Sequence, residues 1–461
     1  MVMSSDRKII LSLAIPAVMQ TIIRSLFVII DAFWAGKLGS NELAALTVAT
    51  FVVWGILSFG ELIATGTNSL VAQATGAGDY KLARKISLEN IFNTVLYSIV
   101  FGLIIIPFLP ALWSLVSLNE LHSKLASEYL IPFLVGLPCI TLLLTVSAVF
   151  RGYGDTRTPF YLLLIAVILN FFLAPLFIFG FNGFLEFGLK GAAISTLVSY
   201  FSAFLVGIIL LIKRNLIAKF LTFRFDIPVL KETFRIGFPV SLNGVAFSFI
   251  YILISRVVAE YGTIGFAAMG IGHRSESMSY QISVGFALAA SILTGQNVGA
   301  GDYIKAEKYA YKIMRYTSSV LVTYSLLLFV FSYEVASVFT SDSDVLNAAS
   351  LFNKITALVI IFLGIEVVTS GAFSGAGDSI PPAVISTSFN VLRIPLAAFF
   401  SYLWGLNGIW IAIALTVFLK GVIIFLWFRK GNWKNKRSKL LESPPEGHQQ
   451  KFAIESKPFT D

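Results

Sequence analysis

The chain has 461 residues, of which 57% are hydrophobic and 13% are charged, and its mean hydropathy is +0.83. A soluble domain carries about 25% charged residues, so this composition excludes an ordinary soluble protein and predicts a surface that mostly faces lipid. The formal net charge is +9. Because most of the cations lie in polar segments between apolar runs, they are typical of membrane topology and do not indicate a nucleic-acid partner.

Twelve apolar runs are each long enough to cross a bilayer, which requires about 20 residues. In chain order they lie near 9–35, 43–72, 89–113, 125–150, 159–181, 189–212, 236–260, 265–295, 313–337, 347–373, 382–404 and 406–428. The sequence therefore predicts an all-α integral membrane protein with twelve transmembrane helices. We assign residues 1–212 to an N-lobe with helices 1–6, 213–235 to a connector, 236–430 to a C-lobe with helices 7–12, and 431–461 to a tail.

The connector and the tail are both polar, but their patterns differ. The connector alternates basic and apolar side chains and contains Pro228, which predicts a cytoplasmic segment with an interfacial amphipathic stretch. The tail is polar, contains prolines and lacks periodicity, which predicts disorder. Since the basic segments all fall on one side of the predicted spans, we expect a multi-pass plasma-membrane protein with both termini in the cytoplasm.

The two halves repeat each other at a fixed offset, which pairs residue 72 with residue 295. Residues 72–85 read AQATGAGDYKLARK and residues 295–308 read GQNVGAGDYIKAEK, which share eight of fourteen positions. Average composition would give roughly one match. With six spans in each half, the repeat is parallel and predicts two pseudo-symmetric lobes around a central site, an arrangement typical of alternating-access transporters.

Glycine-rich turns occur at equivalent places in the two halves. They contain Asp79, Asp155, Asp302 and Asp378. GAGDY lacks the spacing of a phosphate-binding loop and follows an apolar helix instead of a strand. We therefore interpret these segments as tight turns in which glycine ends one helix and the aspartate caps the next.

Charged residues at membrane depth are costly and usually face a cavity or a partner. In the N-lobe these are Arg24, Asp31 and Glu61, with Asn170 as a polar neighbour. Gln20, Arg24 and Asp31 share one stripe of the first helix because they are four and seven residues apart. We expect this stripe to face the cleft between the lobes, and Arg24 to approach Glu61.

The C-lobe carries a second polar set. It consists of Arg274, Glu276, Glu366 and Arg393. These side chains either contribute to function or neutralise one another as a buried ion-pair network. His273 is expected to be a packed or hydrogen-bonded imidazole in preference to a proton carrier, and Lys420 is expected to reach towards the lipid headgroups from its span end.

Aromatic side chains could bind a flat or cationic organic molecule in the cleft. Most of the 42 phenylalanines are expected to pack between helices or face lipid. The candidates that lie on spans bordering the cleft are Phe27, Phe51, Trp54 and Tyr280.

The chain resembles the multidrug and toxic compound extrusion (MATE) family, nearest to its DinF-like branch, over residues 9–430. The segments that carry the resemblance are AIPAVMQ, DAFWAGKLG, AQATGAGD, FRGYGDTRTP, NFFLAPLFIFG, GLKGAAIST, GIGHRSES, GQNVGAGD, FSGAGDSIPP and LRIPLA. The resemblance implies a monomeric, cation-coupled exporter of small amphiphilic, often cationic, organic compounds, surrounded by membrane lipids and without an organic cofactor.

Two departures from the family pattern bear on the coupling ion. Family members of this branch commonly carry aspartate where this chain has Ala174, and tyrosine where it has Phe27. The set around Asp31 then shrinks to Asn170, Thr196 and backbone carbonyls. A sodium site at Asp31 and Asn170 remains possible but a proton is favoured, because sodium prefers several oxygen ligands whereas one buried carboxylate can bind a proton.

Three other functions compete with antiport. A flippase for a lipid-linked saccharide stays open as an alternative, because Arg24, Arg274 and Arg393 could bind a pyrophosphate. A channel is disfavoured because duplicated lobes suit alternating access. An intramembrane enzyme would need a nucleophile-base pair or a metal cluster, and the three histidines and single cysteine form neither.

Overall fold

The computed structural model describes residues 5–115, 119–180, 186–219 and 225–441. Within these ranges the chain is helical and contains no strand. The N-lobe comprises α1 (Ser5–Leu38), α2 (Ser40–Gly76), α3 (Tyr80–Ile105), α4 (Leu109–Leu115), α5 (Glu120–Val135), α6 (Leu137–Gly152), α7 (Arg157–Phe179) and α8 (Leu189–Lys213). The C-lobe comprises α9 (Ile227–Ala259), α10 (Gly262–Gly299), α11 (Tyr303–Val330), α12 (Ser332–Ser337), α13 (Ser343–Ala357), α14 (Ile360–Ala376), α15 (Ile380–Trp404) and α16 (Leu406–Arg429).

Two of the predicted spans are bent helix pairs instead of single helices. Helices α5 and α6 meet at 51°, and α13 and α14 meet at 54°. Counting each pair as one span gives the twelve predicted transmembrane helices in two lobes of six. The bends occur at Gly136 and near Val359, which are equivalent positions under the repeat. Prolines lie beside the first bend but not beside the second. Proline is therefore not the common cause of the bends, which are a shared feature of the lobe fold.

Both lobes have their turns between the second and third spans on one face of the bundle. We call this the terminal face, because α1 begins there and α16 ends there. Asp79 caps α3 by accepting from the Leu82 amide, and Asp302 caps α11 by accepting from the Lys305 amide. Asp155 likewise accepts from the amides of residues 157 and 158. These three caps confirm the interpretation of the turns.

Asp378 departs from this pattern. No side-chain cap of α15 is recorded for it within the described chain. Its carboxyl lies instead within electrostatic range of Arg235 and Lys436. Burial raises the pKa of the Asp378 carboxyl, and the two cations oppose that shift. The fourth turn therefore differs from its equivalent because Arg235 of α9 and Lys436 of the tail lie against it.

The lobes contact each other closely at the terminal face. A Cβ added to Gly76 would lie 1.8 Å from the carbonyl oxygen of Gln296, and a Cβ added to Gly299 would lie 1.9 Å from that of Gln73. Only glycine permits backbones this close. The two contacts are equivalent under the repeat, so α2 and α10 cross on the pseudo-twofold axis.

Direct hydrogen bonds between the lobes extend only part of the way across the bundle. Thr21 and Ser25 of α1 bond to Gln281 of α10, and these are the described interlobe hydrogen bonds farthest from the terminal face. On the other side of the seam, Ser58 of α2 lies against Gly244 of α9. No interlobe hydrogen bond is found beyond these positions in the described chain, and we interpret the space between the lobes there as the predicted cleft, open to the opposite face.

The connector and the tail each differ from expectation in one place. Helix α9 begins at Ile227, inside the predicted connector, and Asp226 caps it. Residues 220–224 of the connector and 442–461 of the tail lie outside the described residues. The prediction that the tail is disordered from Gly431 was wrong for residues 431–441, because Trp433 is fully buried and stacks on Phe428 with ring centroids 4.9 Å apart.

Candidate functional site

Asp31 lies in a closed polar pocket inside the N-lobe. Its side chain is only 5% exposed, and α1 packs there against α7 and α8. The Asp31 Oδ2 atom accepts from the Tyr129 hydroxyl at 3.2 Å and from Thr196 Oγ1 at 3.4 Å. Asn170 donates to the hydroxyl oxygens of Thr196 (3.0 Å) and Ser195 (3.2 Å). The structure thus brings together the three predicted coupling residues.

The pocket holds one acidic side chain and leaves two oxygen atoms without a partner. Asp31 Oδ1 and Asn170 Oδ1 are buried, and no protein hydrogen bond to either is recorded in the described chain. No ion pair of Asp31 is recorded there either. A buried carboxylate without a neighbouring cation is costly when ionised. The pocket can therefore bind a proton or a small cation at these oxygens.

Tyr129 belongs to this pocket and was not predicted. It lies on α5, a helix that the sequence offered only as part of a long apolar span, and it is 5% exposed. Its hydroxyl restores one of the oxygen atoms that Phe27 and Ala174 remove relative to the family pattern. No spacing in the sequence links residues 31 and 129, so only the packing of α5 against α2 and α8 could reveal the contact.

Arg24 and Glu61 form an ion pair on the wall of the cleft. Arg24 Nη1 lies 2.5 Å from Glu61 Oε1, which confirms the predicted approach. The side chains are 36% and 41% exposed, although both lie far from either end of their helices. Two partly exposed charged side chains in the middle of long apolar helices indicate a cavity, and we identify it with the predicted cleft.

The other predicted cleft residues separate into two groups. Trp54 and Tyr280 are exposed on helices that border the opening, at 58% and 47%. Gln20 is 9% exposed and lies at the base of the opening. The prediction that Phe27 lines the cleft was wrong, because its ring is buried in the N-lobe and packs on Tyr200 at a centroid distance of 4.7 Å. The side chain of Phe51 lies outside the described part of the structure.

The predicted stripe on α1 therefore does not face the cleft along its whole length. Arg24 points into the cleft, whereas Phe27 and Asp31 point into the N-lobe. Residues 24 and 31 do lie at similar angles around the axis of α1, as their seven-residue spacing predicts. It could not show that the neighbouring helices α7 and α8 cover the stripe from residue 27 onwards.

The C-lobe contains a buried ion-pair network. Lys420 Nζ lies 3.1 Å from Glu366 Oε1, and the two side chains are 6% and 8% exposed. Lys420 also donates to Asn390 Oδ1 at 3.3 Å, and Ser386 donates to Glu366 at 2.7 Å. Glu366 is thereby neutralised and hydrogen-bonded within the lobe.

Arg393 and Glu276 complete the network from two sides. The Arg393 side chain is buried and donates from Nε to Thr416 Oγ1 at 2.8 Å. It lies within electrostatic range of Glu276 and Glu366. Glu276 in turn lies 3.0 Å from His273 Nδ1, which also bonds to the Tyr251 hydroxyl at 2.8 Å. The hydrogen-bonded role expected for His273 is confirmed.

Two assignments in the C-lobe were wrong. Arg274 is exposed on the other side of α10, and its guanidinium lies 5.2 Å from the centre of the Phe339 ring, so it is not part of the network. Lys420 does not reach towards headgroups but is 5% exposed and pairs with Glu366. Neighbouring helices decide which side chains of a helix are buried, and a hydropathy pattern carries no information about where those neighbours lie.

The matches to known proteins follow the repeat. A family model described as MatE matches residues 16–176 and 239–399, once in each lobe. The chain belongs to the MatE family. It is therefore a secondary transporter with multiple membrane spans and not an enzyme, as the sequence predicted.

Individual MatE relatives cover nearly the whole chain. A probable multidrug resistance protein NorM of Thermotoga maritima is 28% identical over 446 residues, which is 93% of this chain and 94% of that protein. An FAD transporter of Shewanella oneidensis is also 28% identical, over 91% of this chain and 93% of its own length. A crystal structure of MATE in the bent conformation matches with a TM-score of 0.86 at 22% identity, covering 94% and 97% of the two chains, and confirms the fold.

Proposed function

We propose that this MatE protein is a proton-coupled antiporter of the plasma membrane. It exports amphiphilic, often cationic, organic compounds by alternating access and works as a monomer with both termini in the cytoplasm. The observation that carries the proposal is the Asp31 pocket, where one buried carboxylate lies without a cationic partner in the described chain. The multidrug name of the Thermotoga relative supports the substrate class.

The small set of oxygen ligands in the pocket favours a proton over sodium. The hydroxyls of Tyr129 and Thr196 donate to Asp31, so their hydrogens point at the carboxylate. Sodium prefers several oxygen ligands, and Asp31 is the one carboxylate in the described part of the pocket. A proton needs only the free Oδ1 atom.

Helix α1 connects the pocket to the cleft. Asp31 lies on the covered side of the helix and Arg24 lies seven residues earlier at the cleft, about 10 Å along the axis. Proton arrival at Asp31 removes a charge between α1, α7 and α8. A change in how α1 packs on these helices then alters the position of the Arg24–Glu61 pair and the shape of the cleft.

The cleft wall suits an organic cation. Glu61 offers a partly exposed carboxylate, and Trp54 and Tyr280 offer exposed aromatic rings. Carboxylates and aromatic faces both attract cations, more strongly where water is partly excluded. Export follows if the substrate cation competes with Arg24 for Glu61 and is released when the pair reforms.

The flippase alternative receives less support from the geometry. It required Arg24, Arg274 and Arg393 to bind one pyrophosphate. Arg393 is buried on Thr416, and Arg274 lies against Phe339 on the exposed side of α10. Because one guanidinium lies inside the C-lobe and another is exposed beside an outer ring, the three do not form one anion site.

Reconstitution in proteoliposomes tests the proposal. A pH gradient and a sodium gradient are imposed separately, and transport is followed for fluorescent organic cations and for a flavin nucleotide as an anionic compound. We expect cation transport that depends on the pH gradient and is unchanged when sodium is replaced by potassium. Strict dependence on sodium would overturn the coupling ion, and scrambling of a lipid-linked oligosaccharide without ion coupling would favour the flippase.

A further inference from the structure

The first described residues of the tail form a compact segment against the terminal face. We call residues 433–441 the latch. Its base is attached to the C-lobe, because Trp433 is fully buried and its Nε1 donates to the Phe428 carbonyl at 3.0 Å. Lys434 forms an ion pair with Glu307 of α11 at 2.6 Å. The latch therefore continues from α16 as part of the C-lobe.

The middle of the latch lies over the seam between the lobes. The Arg437 guanidinium donates to the Gly299 carbonyl at 2.9 Å, at the end of α10. The next residue, Ser438, donates from its backbone amide to Gln73 Oε1 of α2 at 2.9 Å. Its hydroxyl donates to Glu232 of α9 at 3.2 Å, and the residue is only 3% exposed. Adjacent residues of the latch thus bind opposite lobes.

The end of the latch adds apolar contacts across the same seam. Leu440 and Leu441 pack on a buried cluster that both lobes build. The N-lobe contributes Leu70, Val71, Ala74, Ala83 and Ile86, and the C-lobe contributes Val229 and Ile236. Burial of leucine side chains at this junction favours the state in which the two lobes are together.

Beneath the latch, the lobes are held by a reciprocal pair of hydrogen bonds. Gln73 Nε2 donates to the Gly375 carbonyl at 2.9 Å, and Gln296 Nε2 donates to the Gly152 carbonyl at 3.1 Å. The two donors are equivalent under the repeat, as are the two acceptors, so each bond is the image of the other. The latch binds the remaining amide oxygen of Gln73 and so stabilises one member of the pair.

Opening the terminal face would have to break these contacts together. Helix α2 must move away from α10 and α14 before a cleft can reach this side. The latch is anchored to the C-lobe through Trp433 and to α2 through Gln73, so it cannot follow both lobes. Its release from α2 is therefore a necessary part of opening.

We propose that the latch is a conformational device that holds the terminal face closed. Its contacts with Gln73 and the apolar cluster stabilise the state in which the cleft opens to the opposite face. Loss of these contacts shifts the protein towards the state open at the terminal face. The proposal rests on the alternating access of the proposed function, but it concerns a conformational equilibrium that can be measured without transport.

Distance measurement between the lobes tests the latch. Spin labels are placed at Lys81 and Ile304, which are exposed, equivalent under the repeat and close to the terminal face, in a chain carrying Cys139→Ala. In the full chain we expect mainly the shorter distance. A chain that stops after Lys430, and a full-length Arg437→Ala/Ser438→Pro variant, should each raise the ratio of long to short distances at least fivefold.

Two matched controls distinguish the latch from general effects of the tail. A chain that stops after Leu441 keeps the latch, and Lys439→Ala removes an exposed cation within the latch. Both should keep the distance distribution of the full chain, and thermal unfolding identifies any variant that fails to fold. Equal distributions in the folded Arg437→Ala/Ser438→Pro variant and the full chain would overturn the proposal. If the distances shift but proteoliposomes show no proton-driven transport, the latch stands and the proposed function fails.

Discussion

The two lobes share one architecture but treat buried charge in opposite ways. In the N-lobe, Asp31 lies among neutral hydroxyl and amide groups. In the C-lobe, Glu366 lies 3.1 Å from Lys420, with Arg393 nearby. The repeat places Ile254 opposite Asp31 and Leu143 opposite Glu366, so neither buried carboxylate has an acidic counterpart in the other lobe.

The contrast suggests different roles for the two sites. Asp31 can change its charge, whereas Glu366 and Lys420 stay charged as an ion pair. A carboxylate beside an ammonium is stabilised as an ion pair, and breaking the pair leaves an uncompensated charge in a poor solvent. A carboxylate among hydroxyls changes its charge whenever it gains or loses a proton. We therefore expect changes in the N-lobe pocket to affect coupling, and changes in the C-lobe network to affect stability.

The largest expected effect is the loss of coupling when Asp31 is replaced. Asp31→Asn keeps the size of the side chain and an acceptor for Tyr129 but cannot exchange a proton. Efflux driven by a pH gradient should fall to the background of empty proteoliposomes, with a melting temperature close to that of the parent. Undiminished proton-driven efflux in this variant would show that the pocket is not the coupling site.

Breaking the C-lobe ion pair should have the second largest effect, and it should appear in stability. Lys420→Met leaves Glu366 buried without its cation, which costs about 3–5 kcal/mol in folding free energy. The double variant Lys420→Met/Glu366→Gln removes both charges and should recover most of the loss. The measurement is thermal unfolding in detergent. A single variant as stable as the parent would mean that the network does not support the lobe.

One pair of equivalent residues compares the lobes directly. Asn170 on α7 and Asn390 on α15 correspond because the offset between the halves shortens from 223 to 220 residues in the fifth span. Asn170 bonds to Thr196, and Asn390 bonds to Lys420. Asn170→Ala removes the hydrogen bonds to Thr196 and Ser195 and should reduce proton-driven efflux about tenfold, which corresponds to about 1.4 kcal/mol. Asn390→Ala should lower the melting temperature and leave the coupling ratio unchanged. Equal effects of both on coupling would remove the proposed distinction between the lobes.

The smallest effect is expected for the pair on the cleft wall. Arg24→Ala or Glu61→Ala should each cost about 1 kcal/mol in stability, because both side chains are more than a third exposed and water screens them. The exchanged variant Arg24→Glu/Glu61→Arg should recover part of that loss in a double-mutant cycle of thermal unfolding. Additive losses in the exchanged variant would argue against a direct interaction.

The amino-acid sequence was sufficient to predict the twelve spans, the two lobes and the Arg24–Glu61 pair. Hydropathy sets which segments enter the membrane, and the internal repeat shows that they form two copies of one unit. The high cost of a lone charge in a membrane was enough to pair Arg24 with Glu61, which lie on consecutive helices. These conclusions depend on composition and on distances along one or two helices.

Helix packing, by contrast, set which way the polar side chains face and which distant residues meet them. Phe27 and Asp31 turn into the N-lobe because α7 and α8 cover that side of α1. Tyr129 reaches Asp31 from α5, Lys420 reaches Glu366 from α16, and the latch reaches Gln73 across the seam. A membrane helix can be apolar on every face, so its sequence does not show which face packs on which neighbour. The partner of a buried polar group is therefore set by tertiary contacts and not by the local sequence pattern.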